Sequence, residues 1–220
     1  VLPPGVSRER LNNTNTIVRQ NEQSLSVNIR ALKPLERKAV FRRVQFDMRR
    51  HDRLQLFVHA ETSTAAAPDQ ALTAFMRIGT DYSDNFYEIQ WPLRFTPYGT
   101  VDPQLIWPDE NELDLDLSDL SRAKSLQLAS GSLDHTVEFE RYSVRVRGNP
   151  SIGRVSSAML GLRNERSPVS LDTEIWFNEF RLSGINHRGG WAATANAQLN
   201  LSDVVAFGSG YSRSTVGFGG

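Results

Sequence analysis

Alternation of apolar and polar residues, sustained over most of the length, constrains this chain more than any other feature. In Ser24-Leu25-Ser26-Val27-Asn28-Ile29-Arg30 the three aliphatic residues share one face of an extended backbone. The same two-residue period returns in Leu54, Leu56, Val58 and Ala60, in Leu72, Ala74, Met76 and Ile78, and in Tyr87, Ile89, Trp91 and Leu93. Tyr142, Val144 and Val146 alternate with Arg141, Arg145 and Arg147, and further runs cover 155–162 and 174–182. Successive strand side chains point to opposite faces, so each run reads as a strand with one face buried. Turn-forming pieces such as Gly79-Thr80-Asp81, Asn149-Pro150 and Arg163-Asn164-Glu165-Arg166 separate them. One stretch, 118–128, has a serine–aspartate start and helical apolar spacing, and predicts a short helix. Roughly eight strands, one helix and long loops describe an all-β, antiparallel jelly-roll-like β-sandwich. Strands do not alternate regularly with helices, which excludes a βαβ architecture. Residues 1–23, rich in Pro, Asn, Thr and Arg, read as an extended arm or linker, and 24–185 as the sandwich.

Composition narrows the function classes. Eleven Phe, five Tyr and four Trp can build a core, which sets aside a disordered chain. Twenty-five basic residues, of which only Lys33, Lys38 and Lys124 are lysine, balance twenty-five acidic ones, so nucleic acid is not an expected partner. Without cysteine there is no thiol catalysis, no thiolate zinc site and no disulfide. Apolar stretches fall far short of the ~20 residues of a membrane-spanning helix. The start, Val1-Leu2-Pro3-Pro4-Gly5, does not read as a signal peptide.

Residues 189–220 have a different character. Trp191, Ala193, Ala195, Ala197, Leu199 and Leu201 fall on one strand face, and Ala192, Thr194, Asn196, Gln198 and Asn200 on the other. Leu201-Ser202-Asp203 reads as a turn, and 204–218, with Gly208, Gly210 and Gly217, as the returning strand. Asp203 and Arg213 are the only charges here, against 23% charged residues in the whole chain. An apolar side, a small or polar side and a terminal aromatic suit a transmembrane β-barrel, whose strands need ~9–11 residues. A final hairpin of a soluble sandwich, its alanines packed inward, satisfies the same alternation; the missing charge and the glycines favour lipid. A lone hairpin in lipid leaves edge N–H and C=O groups unpaired. The reading therefore implies a larger closed barrel and a longer polypeptide.

Chemistry-bearing motifs are sparse. His51, His59, His135 and His187 stand at no metal-ligand spacing from one another and read as surface or hydrogen-bonded residues. The acidic run Asp109-Glu110-Asn111-Glu112-Leu113-Asp114-Leu115-Asp116 lacks the turn-making glycine of a calcium loop, and its last aspartates alternate with leucines like the wet face of a strand. Asp81 and Asp84, in Asp81-Tyr82-Ser83-Asp84-Asn85, are the better calcium candidates. Ser209 in Gly208-Ser209-Gly210 lacks a strand-to-helix elbow, no phosphate loop opens a helix, and no carboxylate pair stands out for glycosidase work. No catalytic, cofactor or firm metal site is assigned, and the chain is not expected to be an enzyme. Trp91, Trp107, Tyr82, Tyr87 and Tyr98 pack a core or form a sugar-stacking platform. Alternation with Ile89 puts Trp91 in the core, whereas Trp107, beside Pro108 in a loop, is the ligand-stacking candidate. Arg141, Arg145 and Arg147 read as a solvated strand face, with an acidic partner surface as the sharper alternative.

Several strings, in order over nearly the whole chain, carry a family likeness. They are Leu2-Pro3-Pro4-Gly5-Val6-Ser7-Arg8-Glu9-Arg10, Arg19-Gln20-Asn21-Glu22-Gln23-Ser24-Leu25, Asp47-Met48-Arg49-Arg50, Arg77-Ile78-Gly79-Thr80-Asp81 with Asp84-Asn85-Phe86-Tyr87, Trp107-Pro108-Asp109-Glu110-Asn111, Trp176-Phe177-Asn178-Glu179-Phe180-Arg181-Leu182-Ser183-Gly184 and Gly189-Gly190-Trp191-Ala192-Ala193. In these the chain resembles the SprA/Sov family of Bacteroidota, giant outer-membrane proteins that form the translocon of the type IX secretion system and serve gliding motility. The stretch before the hairpin is also similar to the last strand of carbohydrate-binding and galactose-binding-like jelly rolls. The resemblance implies a sandwich inserted in a very large transmembrane β-barrel, followed by a barrel hairpin at 189–220. It implies passage of folded proteins across the outer membrane, with the sandwich acting as cap, brace or docking domain; long connections of bacterial barrels usually lie outside, which favours the extracellular side. The implied partners are other segments of the same barrel, a lateral barrel partner, a periplasmic plug protein, secreted cargo with a C-terminal signal domain, and outer-membrane lipid. It carries over no catalytic residue. The alternative reading is a glycan-binding jelly-roll module of a cell-surface protein.

Overall fold

The alternating apolar rows meet across two antiparallel sheets. The computed structural model describes residues 3, 10–13, 16–19, 24–65, 67–97, 99–185, 192–201 and 205–214. They fall into two compact units, 1–184 and 185–220.

Within the segment read as an arm, β1 (Arg10–Asn13) pairs with β2 (Thr16–Arg19) as a short antiparallel hairpin. The body then runs β3 (Leu25–Leu32), β4 (Arg37–Phe46), β5 (His51–Thr62), β6 (Leu72–Gly79) and β7 (Phe86–Leu93). After the one-turn helix α1 (Pro103–Ile106) come β8 (Leu113–Asp116), α2 (Leu117–Ser130), β9 (Asp134–Glu138), β10 (Ser143–Arg147), β11 (Val155–Asn164) and β12 (Leu171–Ile185). One sheet has the order β4-β11-β6-β7-β10-β9 and the other β3-β12-β5-β8. Leu54, Leu56 and Val58 of β5, Met76 and Ile78 of β6, Ile89 and Trp91 of β7 and Val144 and Val146 of β10 fill one buried cluster between them. Each fully buried large apolar side chain contributes ~1.5–3 kcal/mol, so this shared core holds the two sheets together.

The helix extends beyond the expected 118–128. Asp116, not Ser118, caps it: its carboxylate accepts from Ser118 N–H at 2.8 Å. Gly131, at φ 66, closes the other end with its N–H on the Leu128 carbonyl, a left-handed conformation that only glycine adopts cheaply. Leu117, Leu120, Ala123 and Gln127 are the buried side of the helix. The Asp114/Asp116 alternation does belong to a strand, β8, where Arg53 of β5 grips Asp114 through two hydrogen bonds at 2.8 and 2.5 Å. No helix among the described residues is long and apolar enough to cross a membrane.

In the second unit β13 (Ala192–Leu201) pairs antiparallel with β14 (Val205–Ser214) over ten residues each, without a bulge. One set of register positions reads Ala193↔Arg213, Ala195↔Tyr211, Ala197↔Ser209, Leu199↔Phe207 and Leu201↔Val205. The other reads Thr194↔Ser212, Asn196↔Gly210, Gln198↔Gly208 and Asn200↔Ala206. Trp191, Asp203, Gly217 and Phe218 lie outside the described residues.

Candidate functional site

The most organised chemistry lies on the outward face of the six-stranded sheet. Strand registers set its residues in rows: Thr136, Arg145, Glu88, Arg77, Met159 and Phe41 across one line, and Glu138, Ser143, Gln90, Phe75, Gly161 and Ala39 across the next. Sequence alternation places Glu88 on the wet face of its strand, yet it is 0% exposed. Arg77 grips one carboxylate oxygen at 2.9 and 2.5 Å, while Arg37 at 2.6 Å and the Gln90 amide at 2.7 Å donate to the other. The arginines are held flat by aromatic rings pointing outward, Arg37 over Phe75 at 4.2 Å and Arg77 over Phe86 at 3.9 Å. Phe75 and Phe86 are buried although neither belongs to the inter-sheet core. Burial pushes the Glu88 carboxyl up; the hydrogen bonds and charges of Arg37 and Arg77 outweigh it and hold it below the usual glutamate range.

Arg145 continues the row as a bidentate partner of Asp134, at 2.8 and 2.5 Å, and its hydrogen bonds hold that carboxyl below its ordinary value. Arg147 lies more loosely between Asp134 at 3.6 Å and Asp84 at 3.9 Å. Arg141 lies outside their strand; it precedes β10 and donates to the Asp109 and Glu112 carbonyls. Of the three arginines read as one row, two are therefore mostly engaged within the sheet, and the third ties down the 109–112 turn.

Asp81 organises the turn after β6. Its Oδ1 accepts from the backbone N–H of Ser83, Asp84 and Asn85 at 3.0, 2.6 and 2.9 Å, and Oδ2 from the Asn85 amide at 2.8 Å. The Asn85 side chain and then these N–H groups hold its carboxyl far below the usual range. Four donors aimed at one carboxylate disfavour a cation there. Asp84 is largely exposed and takes the Ser83 hydroxyl at 3.0 Å. Among the described residues no group of three His, Asp or Glu is placed to hold a metal ion. Asp81→Ala is expected to cost about 1–2 kcal/mol through the lost acceptors, read by urea denaturation. Millimolar calcium is expected to leave the melting temperature unchanged; a calcium-dependent rise abolished by the substitution would reinstate an ion site.

The stacking candidates do not assemble into a platform. Trp107 is 2% exposed, with ring centroids 6.4 Å from Phe57, 6.0 Å from His59 and 6.4 Å from Trp176. A sugar needs an exposed ring, and Trp107 offers none; the short helix α1 turns it inward onto the outer face of the four-stranded sheet. Trp91 and Tyr87 are core residues, Trp91 donating to the Asn111 carbonyl at 3.1 Å and Tyr87 to that of Pro150 at 3.4 Å. Tyr82 meets Phe41 edge to face at 5.1 Å. Tyr98 and His187 lie outside the described residues. His59, 0% exposed, is the histidine with the richest surroundings. Its Nδ1 is 2.7 Å from the Ile106 carbonyl, which can only accept, so that nitrogen carries the proton; Nε2 lies 3.2 Å from Glu61. Trp176 stacks on the ring at 4.4 Å.

The chain is thus an all-β protein of antiparallel sheets whose best-ordered polar chemistry is an arginine–carboxylate surface. A family model, SprA_N, described as motility related/secretion protein, matches residues 1–220. The chain belongs to that family and is a motility- or secretion-related protein. No curated protein matches it.

Proposed function

We propose that this chain is a non-enzymatic segment of an outer-membrane protein translocon of the type IX secretion system, active in gliding motility, that passes folded proteins across the membrane. In this reading β13 and β14 are neighbouring staves of a very large barrel, and the body is a jelly-roll insert on the extracellular side that caps, braces or docks. The observation that carries it is the hairpin register. Positions 193, 195, 197, 199 and 201 face 213, 211, 209, 207 and 205, giving one row of Ala, Leu, Val, Phe and Tyr with a serine and a terminal arginine; the other row is small and polar. That is the pattern of a strand pair between lipid and a wet lumen, at a length that spans the ~25 Å apolar band. Side chains on both rows are exposed wherever they are described, at 192–196 and 208–213, so the contrast between the rows lies in their residue types.

The strand order of the body supports the jelly-roll part. Leaving aside β9 and β10, which follow α2, the remaining eight strands from β3 to β12 fall in the orders first-eighth-third-sixth and second-seventh-fourth-fifth. Two interleaved Greek keys generate that order. The family supports the secretion part. Barrel neighbours, a lateral barrel partner, a periplasmic plug and cargo with a C-terminal signal domain are the partners this reading assigns.

The chain is expected to bind detergent micelles through 189–220, where water can still reach the open hairpin edges, and a variant lacking 189–220 to stay soluble and unfold cooperatively. Ala195→Arg, on the apolar row, should reduce that binding about thirtyfold or more, since a charge facing hydrocarbon costs ~2–4 kcal/mol at mid-depth; Thr194→Arg, on the other row, should not. Equal effects of the two substitutions, or a freely soluble monomer with the hairpin present, overturn the proposal.

A further inference from the structure

The body is left open along one flank. α2 packs on β9 and β10 at one side of the six-stranded sheet. At the other side β4 pairs with β11 alone, and among the described residues no strand adjoins its outer edge. The inward row of β4, Val40, Arg42, Val44 and Phe46, reaches beyond the cover of the opposite sheet. With Leu25, Leu160 and Phe180 it lines a mostly apolar cleft of about 480 Å3, in which Phe46 and Phe180 stack at 5.8 Å. Val40 is 39%, Leu25 42% and Phe180 40% exposed, although all three are apolar. A free strand edge beside an uncovered apolar strip is a template for a further strand.

Charge decides what kind of strand fits. β4 carries Arg37, Lys38, Arg42 and Arg43 and no acid. Arg37 is committed to Glu88, and Lys38 reaches Glu36 and the Arg30 carbonyl. Arg42 and Arg43 take part in no ion pair among the described residues and are exposed. Arg42 points into the cleft row and Arg43 to the outward face. Pairing β4 with a second copy of itself sets four cations against four, and like charges opposite one another destabilise a ladder.

We infer that the β4 edge takes up an extended segment of a protein partner, apolar where it faces Val40, Val44 and Phe46 and acidic where it faces Arg42 and Arg43. The backbone ladder supplies affinity, the cleft reads alternate apolar side chains, and two adjacent carboxylates fix the register. This goes beyond the translocon reading and stands without it.

The test uses the full chain and a short synthetic peptide of alternating valine and threonine with two adjacent central glutamates. Peptide binding is expected to slow amide hydrogen exchange in β4. Replacing the glutamates with lysine should weaken binding about tenfold, from two cross-strand charge pairs turned from attractive to repulsive. Arg42→Glu, at an exposed position, should cancel that preference, Arg42→Glu with Arg43→Glu should invert it, and a proline in the peptide centre should abolish binding. Unchanged exchange in β4, equal affinity for the lysine peptide, or a fatty acid that fills the cleft and blocks the peptide equally in the wild type and Arg42→Glu overturns the proposal. Self-association through β4 overturns it as well.

Discussion

Replacing Glu88 with alanine should lower the unfolding free energy by about 3 kcal/mol, because removing one member of a buried ion pair strands the charges left behind. The expected loss sits at the low end of that range because Arg37 and Arg77 keep 30% and 17% of their side-chain surface and can turn toward water. Equilibrium denaturation in urea measures it, with an unchanged slope showing that the folded state is still the reference. The carboxyl also gives the protein an acid limit. A group whose folded pKa is depressed contributes stability that is full above its unfolded value, ~4.3 for glutamate, and lost as pH falls through the folded value. Stability should decline below about pH 4 in the wild type, and Glu88→Gln should make that decline shallower. Asp47, Asp81, Asp116 and Asp134, also held low, share the remaining slope. A Glu88→Ala variant as stable as the wild type would mean that the arginine layer rests on the aromatic rings alone.

Gly161→Val should be nearly as damaging, for a different reason. A Cβ at Gly161 would fall 2.3 Å from the Phe75 ring, 2.6 Å from the Ala39 Cβ and 2.7 Å from the Lys38 carbonyl. The carbonyl belongs to the β4–β11 ladder and cannot give way, and Arg37 stacks on the Phe75 ring from outside. Overpacking of this kind costs about 3 kcal/mol, which for a chain of this length lowers the melting temperature by about 6–12 °C. Phe75→Leu in the same chain should return part of the loss, since the two positions share one space. Differential scanning calorimetry of the single and double variants reads both effects.

Those two positions also mark where sequence reading stops. Strands with one apolar face on the core were legible: the alternations through Leu54, Leu72, Tyr87 and Val144 all fall in strands with the expected faces inward. β4 was not, because its inward residues are Lys38, Val40, Arg42, Val44 and Phe46 and its outward ones include Ala39 and Phe41, so an edge strand half out of the core shows no clean period. β9 is short and polar for a similar reason. Glu88 was invisible as a buried group because alternation assigns a face, not an exposure. Phe75 and Phe86, opposite the apolar rows, were the available signal that the outward face carries a layer of its own. For Trp107 the sequence leaves core packing and ligand stacking both open; a one-turn helix capped by Asp102 swings it onto His59, and nothing local in the sequence sets that angle.

The ladder between β3 and β12 has a mechanical side. Leu25, where the body begins, lies opposite Phe177, eight residues before the last strand closes at Ile185. The part of β12 from Phe177 to Ile185 therefore runs about 26 Å past the start of β3, at ~3.3 Å per residue. Tension applied at Leu25 would reach the end of the β3–β12 ladder first and peel β3, the outermost strand of its sheet, one hydrogen bond at a time.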